Sequence, residues 1–296
     1  MKNPFVGCGT ALVTPFAADQ TLDEAAYRRL IRFQIEQGID FLVPCGTTGE
    51  TPTLDAEEHL RLIATAVEEA AGGARKVPVL GGAGGNNTAH VVALARQLER
   101  LGVDGVLSVA PYYNKPTQEG LYQHFAAVAA AVQLPVVLYN VPGRTSSNLE
   151  APTALRLASL PNIVAVKEAS GNFAQIAAIA AGAPAGFDLL SGDDALTLPI
   201  LALGGQGLVS VASNVIPAAM AELVARARAG NFELARTIHF RYRGFMDALF
   251  RETSPAPVKA ALARMGYCRE VLRLPLVPVR EDTRLQLHQL MAELGL

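Results

Sequence analysis

One lysine stands where a nucleophile would. Lys167 follows the run Ile163-Val164-Ala165-Val166, which is apolar and largely β-branched, and precedes Glu168. So short and apolar a run predicts a strand covered on both faces, the kind that builds parallel sheets. With a side-chain period of two, Ile163, Ala165 and Lys167 share one face, and Val164, Val166 and Glu168 the other. Burial of an amine among small apolar neighbours favours its uncharged, nucleophilic form, which Schiff-base chemistry with a carbonyl substrate requires. The competing reading is a lysine that ends a strand and reaches water.

Other polar groups gather at the ends of apolar runs. Gly46-Thr47-Thr48-Gly49-Glu50 offers two hydroxyls and free backbone N–H groups in a glycine-permitted turn, a setting for a small carboxylate or simply a polar loop. Tyr139 ends another run, with Val137 on its face. If its strand neighbours that of Lys167, the two side chains lie about 5 Å apart, and the phenol can move protons during imine formation. A core tyrosine bonded to a carbonyl is the alternative. Arg144, in Asn140-Val141-Pro142-Gly143-Arg144, is suited to a bidentate carboxylate grip or to a surface ion pair. Pro111-Tyr112-Tyr113-Asn114 adds two phenols that would serve equally as interface aromatics.

Eight apolar runs predict the strands that must position these groups: Val6 to Val13, Phe41 to Cys45, Val77 to Gly81, Gly105 to Val109, Pro135 to Tyr139, Ile163 to Lys167, Phe187 to Ser191 and Leu208 to Ala212. Helix-forming segments rich in Ala, Leu, Arg and Glu separate them, several opened by caps at Asp23, Asp55, Asn87 or Thr88, Thr117, Asn172 and Asp193. Leu54 to Ala71 and Thr88 to Leu101 carry apolar residues at three- and four-residue steps. The alternation predicts an α/β fold, a closed (β/α)8 TIM barrel over residues 1–230, with an open doubly wound sheet as the other topology. Residues 231–296 carry no further strand. Helical stretches at Phe232 to Phe250, Pro257 to Met265 and Asp282 to Leu296, set off by prolines, predict an appended helical domain.

Composition excludes several classes of function. Lys plus Arg total 25 against 27 Asp plus Glu, so the formal charge of −2 attracts neither nucleic acid nor an anionic membrane. No signal peptide or membrane span is evident, and a cytoplasmic protein is expected. The three cysteines, Cys8, Cys45 and Cys268, are too widely spaced for a zinc site and read as small hydrophobes. All five histidines fall in predicted helices, without metal-ligand spacing, so neither metal nor other cofactor is expected. Asp193 and Asp194 follow the seventh strand, where they would repel a phosphate and cap a helix instead. Gly81-Gly82-Ala83-Gly84-Gly85 lacks dinucleotide-binding spacing.

Four segments in order, Gly46 to Glu50, Pro111 to Pro116, Tyr139 to Thr145 and Val166 to Ala169, resemble the signatures of the dihydrodipicolinate synthase family. Glu252 to Lys259 is similar to part of that family's helical domain, and the resemblance spans nearly the whole chain. It implies that Lys167 forms an imine with pyruvate, whose enamine adds to L-aspartate 4-semialdehyde to give 4-hydroxy-tetrahydrodipicolinate in lysine and diaminopimelate biosynthesis. By the same resemblance Tyr139, Thr47 and Tyr113 form a proton relay, with Tyr113 crossing from a neighbouring subunit. Thr48 matches the pyruvate carboxylate site, Val209 and Gly192 its surroundings, and Arg144 the semialdehyde carboxylate site. A homotetramer built as a dimer of dimers is implied.

The resemblance also matches a feedback site for L-lysine to Thr51, Pro52, Ala56, His59, Asn86, His90 and Tyr112. Lysine-sensitive members place an acid where this chain has His90, which cannot pair with an ammonium as a carboxylate does, so weak or absent inhibition is expected. The rival within the superfamily is an N-acetylneuraminate or keto-deoxy-sugar-acid lyase, which has little use for Arg144. A non-catalytic keto-acid or amino-acid sensor and a metal-dependent barrel hydrolase are the readings from other classes.

Overall fold

The computed structural model describes residues 1–73 and 75–296. Eight strands, β1 (Gly7–Ala11), β2 (Phe41–Val43), β3 (Leu80–Gly82), β4 (Gly105–Val109), β5 (Val136–Asn140), β6 (Ile163–Glu168), β7 (Asp188–Ser191) and β8 (Gly207–Ser210), pair in the order β2-β1-β8-β7-β6-β5-β4-β3. All these pairings are parallel. The ends of that order meet. Leu42 bridges Val79, its N–H donates to the Pro78 carbonyl at 2.9 Å, and the Gly82 N–H donates to Pro44 at 3.0 Å. The sheet is therefore closed, a TIM barrel ringed by helices, and the open-sheet alternative falls.

The helices start where side chains can satisfy free N–H groups. Asp23 accepts from the Ala26 N–H, Asn87 from Ala89 and His90, Thr117 from Gly120 and Asn172 from Gln175. Asp55 and Glu58 form a reciprocal capping box ahead of the helix Ala56–Gly72. β3 begins later than the expected Val77 because Pro78 has no N–H for the ladder.

Strict alternation fails in one place. Val136 pairs with Ile163 but Val137 pairs with Ala165, so β6 carries an extra residue at Val164. Ile163, expected on the face of Lys167, packs with the outer cluster, and Val164 joins the barrel interior. Beyond the irregularity the parity holds, and Ala165 and Lys167 share the inner face. Phe5 and Phe41 meet edge to face at 5.6 Å in the interior. A Cβ on Gly9 would lie 2.1 Å from the Phe41 ring and one on Gly105 2.4 Å from Phe5, so these glycines make room for the two aromatics.

Residues 231–296 fold as three helices, Phe232–Ala248, Ala256–Arg264 and Glu281–Leu294. Phe245, Val258, Leu262, Leu287 and Met291 are buried in the cluster that also holds the outward-facing residues of the strands. The tail thus shares the barrel's outer core, and burial of such side chains contributes about 1.5–3 kcal/mol each before entropy.

Candidate active site

Lys167 and Tyr139 are register partners at the C-terminal ends of β6 and β5. Each is 6 % exposed. The Lys167 ammonium lies 3.8 Å from the centroid of the Tyr139 ring, and no carboxylate among the described residues is within ion-pair distance of it. The phenol's ring face, not its hydroxyl, is the amine's neighbour here. Lys167 is held from its other side by Gly192, where an added Cβ would lie 3.0 Å from Lys167 Cε and 2.8 Å from Ala169 Cβ. The Gly192 N–H donates to the Glu168 carbonyl at 2.8 Å, which brings the loop after β7 against the lysine stem.

The turn after β2 winds into a short 3-10 helix, Thr47–Gly49, with Thr48 buried and Thr47 half-buried. Glu50, which ends it, is left-handed at φ 55°, as is Cys45 two residues before it at φ 54°, a region sparsely populated for residues with a Cβ. Hydrogen bonds hold it there: Thr51 Oγ1 donates to the carbonyls of Cys45 (2.6 Å) and Gly46 (2.9 Å), and Thr14 Oγ1 to Gly49 (2.7 Å). Cys45 is buried, which raises its thiol well above the usual range and leaves it a poor nucleophile.

A cavity of about 600 Å³ opens above the strands, lined by Thr47, Tyr112, Tyr113, Tyr139, Val141 and Arg144 among others. This is a usual size for a small-molecule site. Lys167 lies behind the Tyr139 ring and is not itself on the wall. Arg144 sits in the single helical turn Pro142–Thr145, exposed and with no carboxylate partner among the described residues. Tyr113 is 88 % exposed at φ 73°. The hydroxyls of Tyr139, Thr47 and Tyr113 do not hydrogen bond to one another within the single chain.

Val209 in β8 is buried in the barrel interior and pairs with Gly9. The turn beyond it is fixed by Asp194, which corrects the expectation that both aspartates cap a helix. Asp193 does cap, accepting from the N–H groups of Ala195 and Leu196. Asp194 instead accepts from Ser210 Oγ (2.5 Å) and the N–H groups of Val211 (3.0 Å) and Ala212 (2.9 Å). These bonds end β8 at Ser210. Burial pushes Asp194 up to about 6, against the pull of its donors.

The residues matched to a feedback site divide between two places. His59 and His90, with Ala56, border a second hollow of about 320 Å³ between the helices Ala56–Gly72 and Thr88–Leu101. Thr51, Pro52 and Tyr112 line the larger cavity. Asn86 Nδ2 donates to the Tyr112 carbonyl at 3.2 Å. His59 Nε2 lies 2.9 Å from the Gly82 carbonyl, and burial lowers its affinity for a proton.

Sequence reasoning missed two buried carboxylates. Glu168 accepts from Asn140 Nδ2 (3.1 Å), the Ser170 N–H (2.7 Å) and Gln175 Nε2 (3.3 Å), tying β6 to its neighbour. Glu50 pairs at 2.6 Å with Lys259 of the helical tail, both fully buried. Their local signals were a carboxylate inside a buried strand and a lysine inside an apolar helix. Among the described residues no cluster of three or more His, Cys, Asp or Glu side chains is arranged to hold a metal, and no helix is long and apolar enough to cross a membrane.

Residues 4–294 match the model of the dihydrodipicolinate synthetase family. The chain is 56 % identical to the 4-hydroxy-tetrahydrodipicolinate synthase of Koribacter versatilis over 290 residues, covering 98 % of this chain and 96 % of the other. It resembles the dihydrodipicolinate synthase structure of Thermotoga maritima with a TM-score of 0.96 at 46 % identity, covering 99 % of each of the two chains. The Acinetobacter baumannii dihydrodipicolinate synthase, solved in complex with pyruvate, superposes with a TM-score of 0.95 at 40 % identity, covering 98 % and 99 %.

Proposed function

The chain belongs to the dihydrodipicolinate synthetase family, and on that premise we propose that it condenses pyruvate with L-aspartate 4-semialdehyde to 4-hydroxy-tetrahydrodipicolinate. Lys167 Nζ attacks the keto carbon, and loss of water gives the imine. Loss of a methyl proton gives the enamine, whose terminal carbon adds to the aldehyde. The substrate's own amine then attacks the imine carbon, closes the ring and releases Lys167. One carbon–carbon bond and one C=N bond form, and one water leaves. The observation that carries the reading is a buried lysine at a strand end, without a carboxylate partner, packed on a tyrosine that faces a cavity with an unpaired arginine.

The site residues take their roles from this chemistry. Thr48 and the N–H groups of its turn hold the pyruvate carboxylate, with Val209 and Gly192 flanking it. Tyr139 exchanges protons with the forming imine, and Thr47 links it to Tyr113. Arg144 grips the semialdehyde carboxylate bidentately. Tyr113 acts in a neighbouring subunit, within a cytoplasmic homotetramer; its 88 % exposure supports that reading. His59, Asn86 and Tyr112 belong to the feedback region, where His90 in place of an acid makes L-lysine a weak inhibitor or none. Inhibition at submillimolar lysine in a steady-state assay would overturn that last point.

Incubation with pyruvate and borohydride, followed by peptide mass spectrometry, tests the central step. Reduction should mark the peptide carrying Lys167 and no other. Labelling should vanish in Lys167→Ala and persist in Arg144→Ala, which should raise the KM for the semialdehyde. An unmodified Lys167 peptide overturns the mechanism.

A further inference from the structure

We propose that the buried Glu50–Lys259 pair is a positioning device, through which the C-terminal helical region holds the Thr47-Thr48 turn in the shape that binds the keto-acid carboxylate. This rests on the function proposed above. Thr48 lies two residues before Glu50, the left-handed last residue of a turn whose backbone is bonded locally but whose buried Glu50 carboxylate finds its partners outside the segment. The Glu50 N–H reaches the Thr47 carbonyl at 3.2 Å. A strained conformation of that kind persists only where its surroundings over-determine it.

The partners of the Glu50 carboxylate come from the tail. Lys259 Nζ donates to Glu50 Oε1 at 2.6 Å and to the Thr14 carbonyl at 2.8 Å, and lies 4.4 Å from the centre of the Phe16 ring. The Arg273 N–H donates to Glu50 Oε2 at 3.2 Å. The Arg273 guanidinium then grips Glu58 with two bonds of 2.6 Å and donates to the Thr53 carbonyl at 2.8 Å. Thr14 completes a ring, since its carbonyl receives Lys259 while its hydroxyl holds the Gly49 carbonyl. Three segments are thereby locked around one turn: the loop after β1, the turn after β2 and the tail.

Stability alone is a poor explanation for this arrangement. Exchange of a buried ion pair for well-packed apolar residues is often neutral or stabilising, whereas a fixed geometry is something two charges with directed bonds supply well. Lys259 makes its two bonds to different segments, so it sets their relative placement as a methionine could not.

The test is the double variant Glu50→Gln/Lys259→Met, which strands no charge and keeps an acceptor for the Arg273 N–H. Borohydride labelling of Lys167 is followed as a function of pyruvate concentration, beside steady-state KM values for both substrates and thermal melting. The half-saturating pyruvate concentration should rise about 10- to 100-fold, as for a misplaced binding group, with the semialdehyde KM changed less than about twofold. A purely structural pair would lower the melting temperature and leave pyruvate half-saturation where it was, and that result overturns the inference. Should the double variant not fold, Thr14→Val decides, since it removes only the bond to Gly49: a rise in half-saturating pyruvate supports the proposal and an unchanged value sinks it. Failure of the wild-type chain to be labelled at any pyruvate concentration would instead remove the proposed function itself.

Discussion

Two lysines are buried among the described residues, and their surroundings differ in whether a carboxylate stands beside the amine. Lys259 is fully buried, paired with Glu50 at 2.6 Å and bonded to a carbonyl. Burial lowers its affinity for a proton while the Glu50 charge pulls the other way. Lys167 is 6 % exposed and has no carboxylate partner among the described residues. Both ammonium groups lie over an aromatic ring, Phe16 and Tyr139. The ring is therefore common to both environments and cannot be the deciding feature. A paired, hydrogen-bonded ammonium has its lone pair committed to a proton, whereas a nucleophilic amine must be able to release one. The barrel mouth keeps carboxylates away from Lys167, and the junction with the tail supplies one to Lys259.

Replacing each lysine by methionine gives the sharpest contrast. Lys167→Met should abolish turnover, by at least about 10³-fold, while denaturant unfolding shows stability kept or raised, because no partner is orphaned. Lys259→Met should cost about 3–5 kcal/mol in the same unfolding experiment, since it leaves Glu50 charged and buried. Equal stability losses in the two variants would erase the distinction.

Gly192→Ala probes the packing behind the Lys167 side chain. Its Cβ would press on Lys167 Cε and Ala169 Cβ, so kcat/KM should fall about 10- to 100-fold with about 1–3 kcal/mol of overpacking strain. An unaltered rate would mean that the lysine stem is free to move.

The smallest expected effect extends the comparison to a buried base that is only half satisfied. His124 Nδ1 meets Thr88 Oγ1 at 2.9 Å, Nε2 has no partner, and burial lowers the ring to about 4. The folded state thus holds the neutral ring where the unfolded chain would bind a proton. The contribution of His124 is complete above the ordinary value near 6.5 and is lost as pH falls towards about 4, by at most about 3 kcal/mol. His124→Gln should flatten the stability profile across that window. Asp194 runs with the opposite sign, because a carboxyl raised to about 6 is favoured in the fold when protonated and disfavoured as pH rises through that value.

Much of the site was legible because a TIM barrel turns sequence order into spatial order. Apolar runs that end in Thr47-Thr48, Tyr139 and Lys167 must deliver those side chains to one end of the barrel, and the pairing of Tyr139 with Lys167 follows from parity. Parity misjudged Ile163, since one extra residue in β6 reverses every side chain on the far side of it. Asp194 looked like a second cap because capping is a local signal; its true partners, at the end of β8 and in the loop after it, are at least 16 positions away. The Glu50–Lys259 pair spans 209 positions, and nothing in either local segment names the other.

The order and type of the elements, the residues at the strand ends and the placing of a lysine at the end of β6 were determined by the sequence itself, through short-range propensity and the two-residue period of strands. The tertiary structure alone decided which of two buried lysines has a carboxylate beside it. That choice depends on which distant segments the closed barrel and its tail bring into contact, and electrostatic pairing acts across a few ångströms of space whatever the distance along the chain.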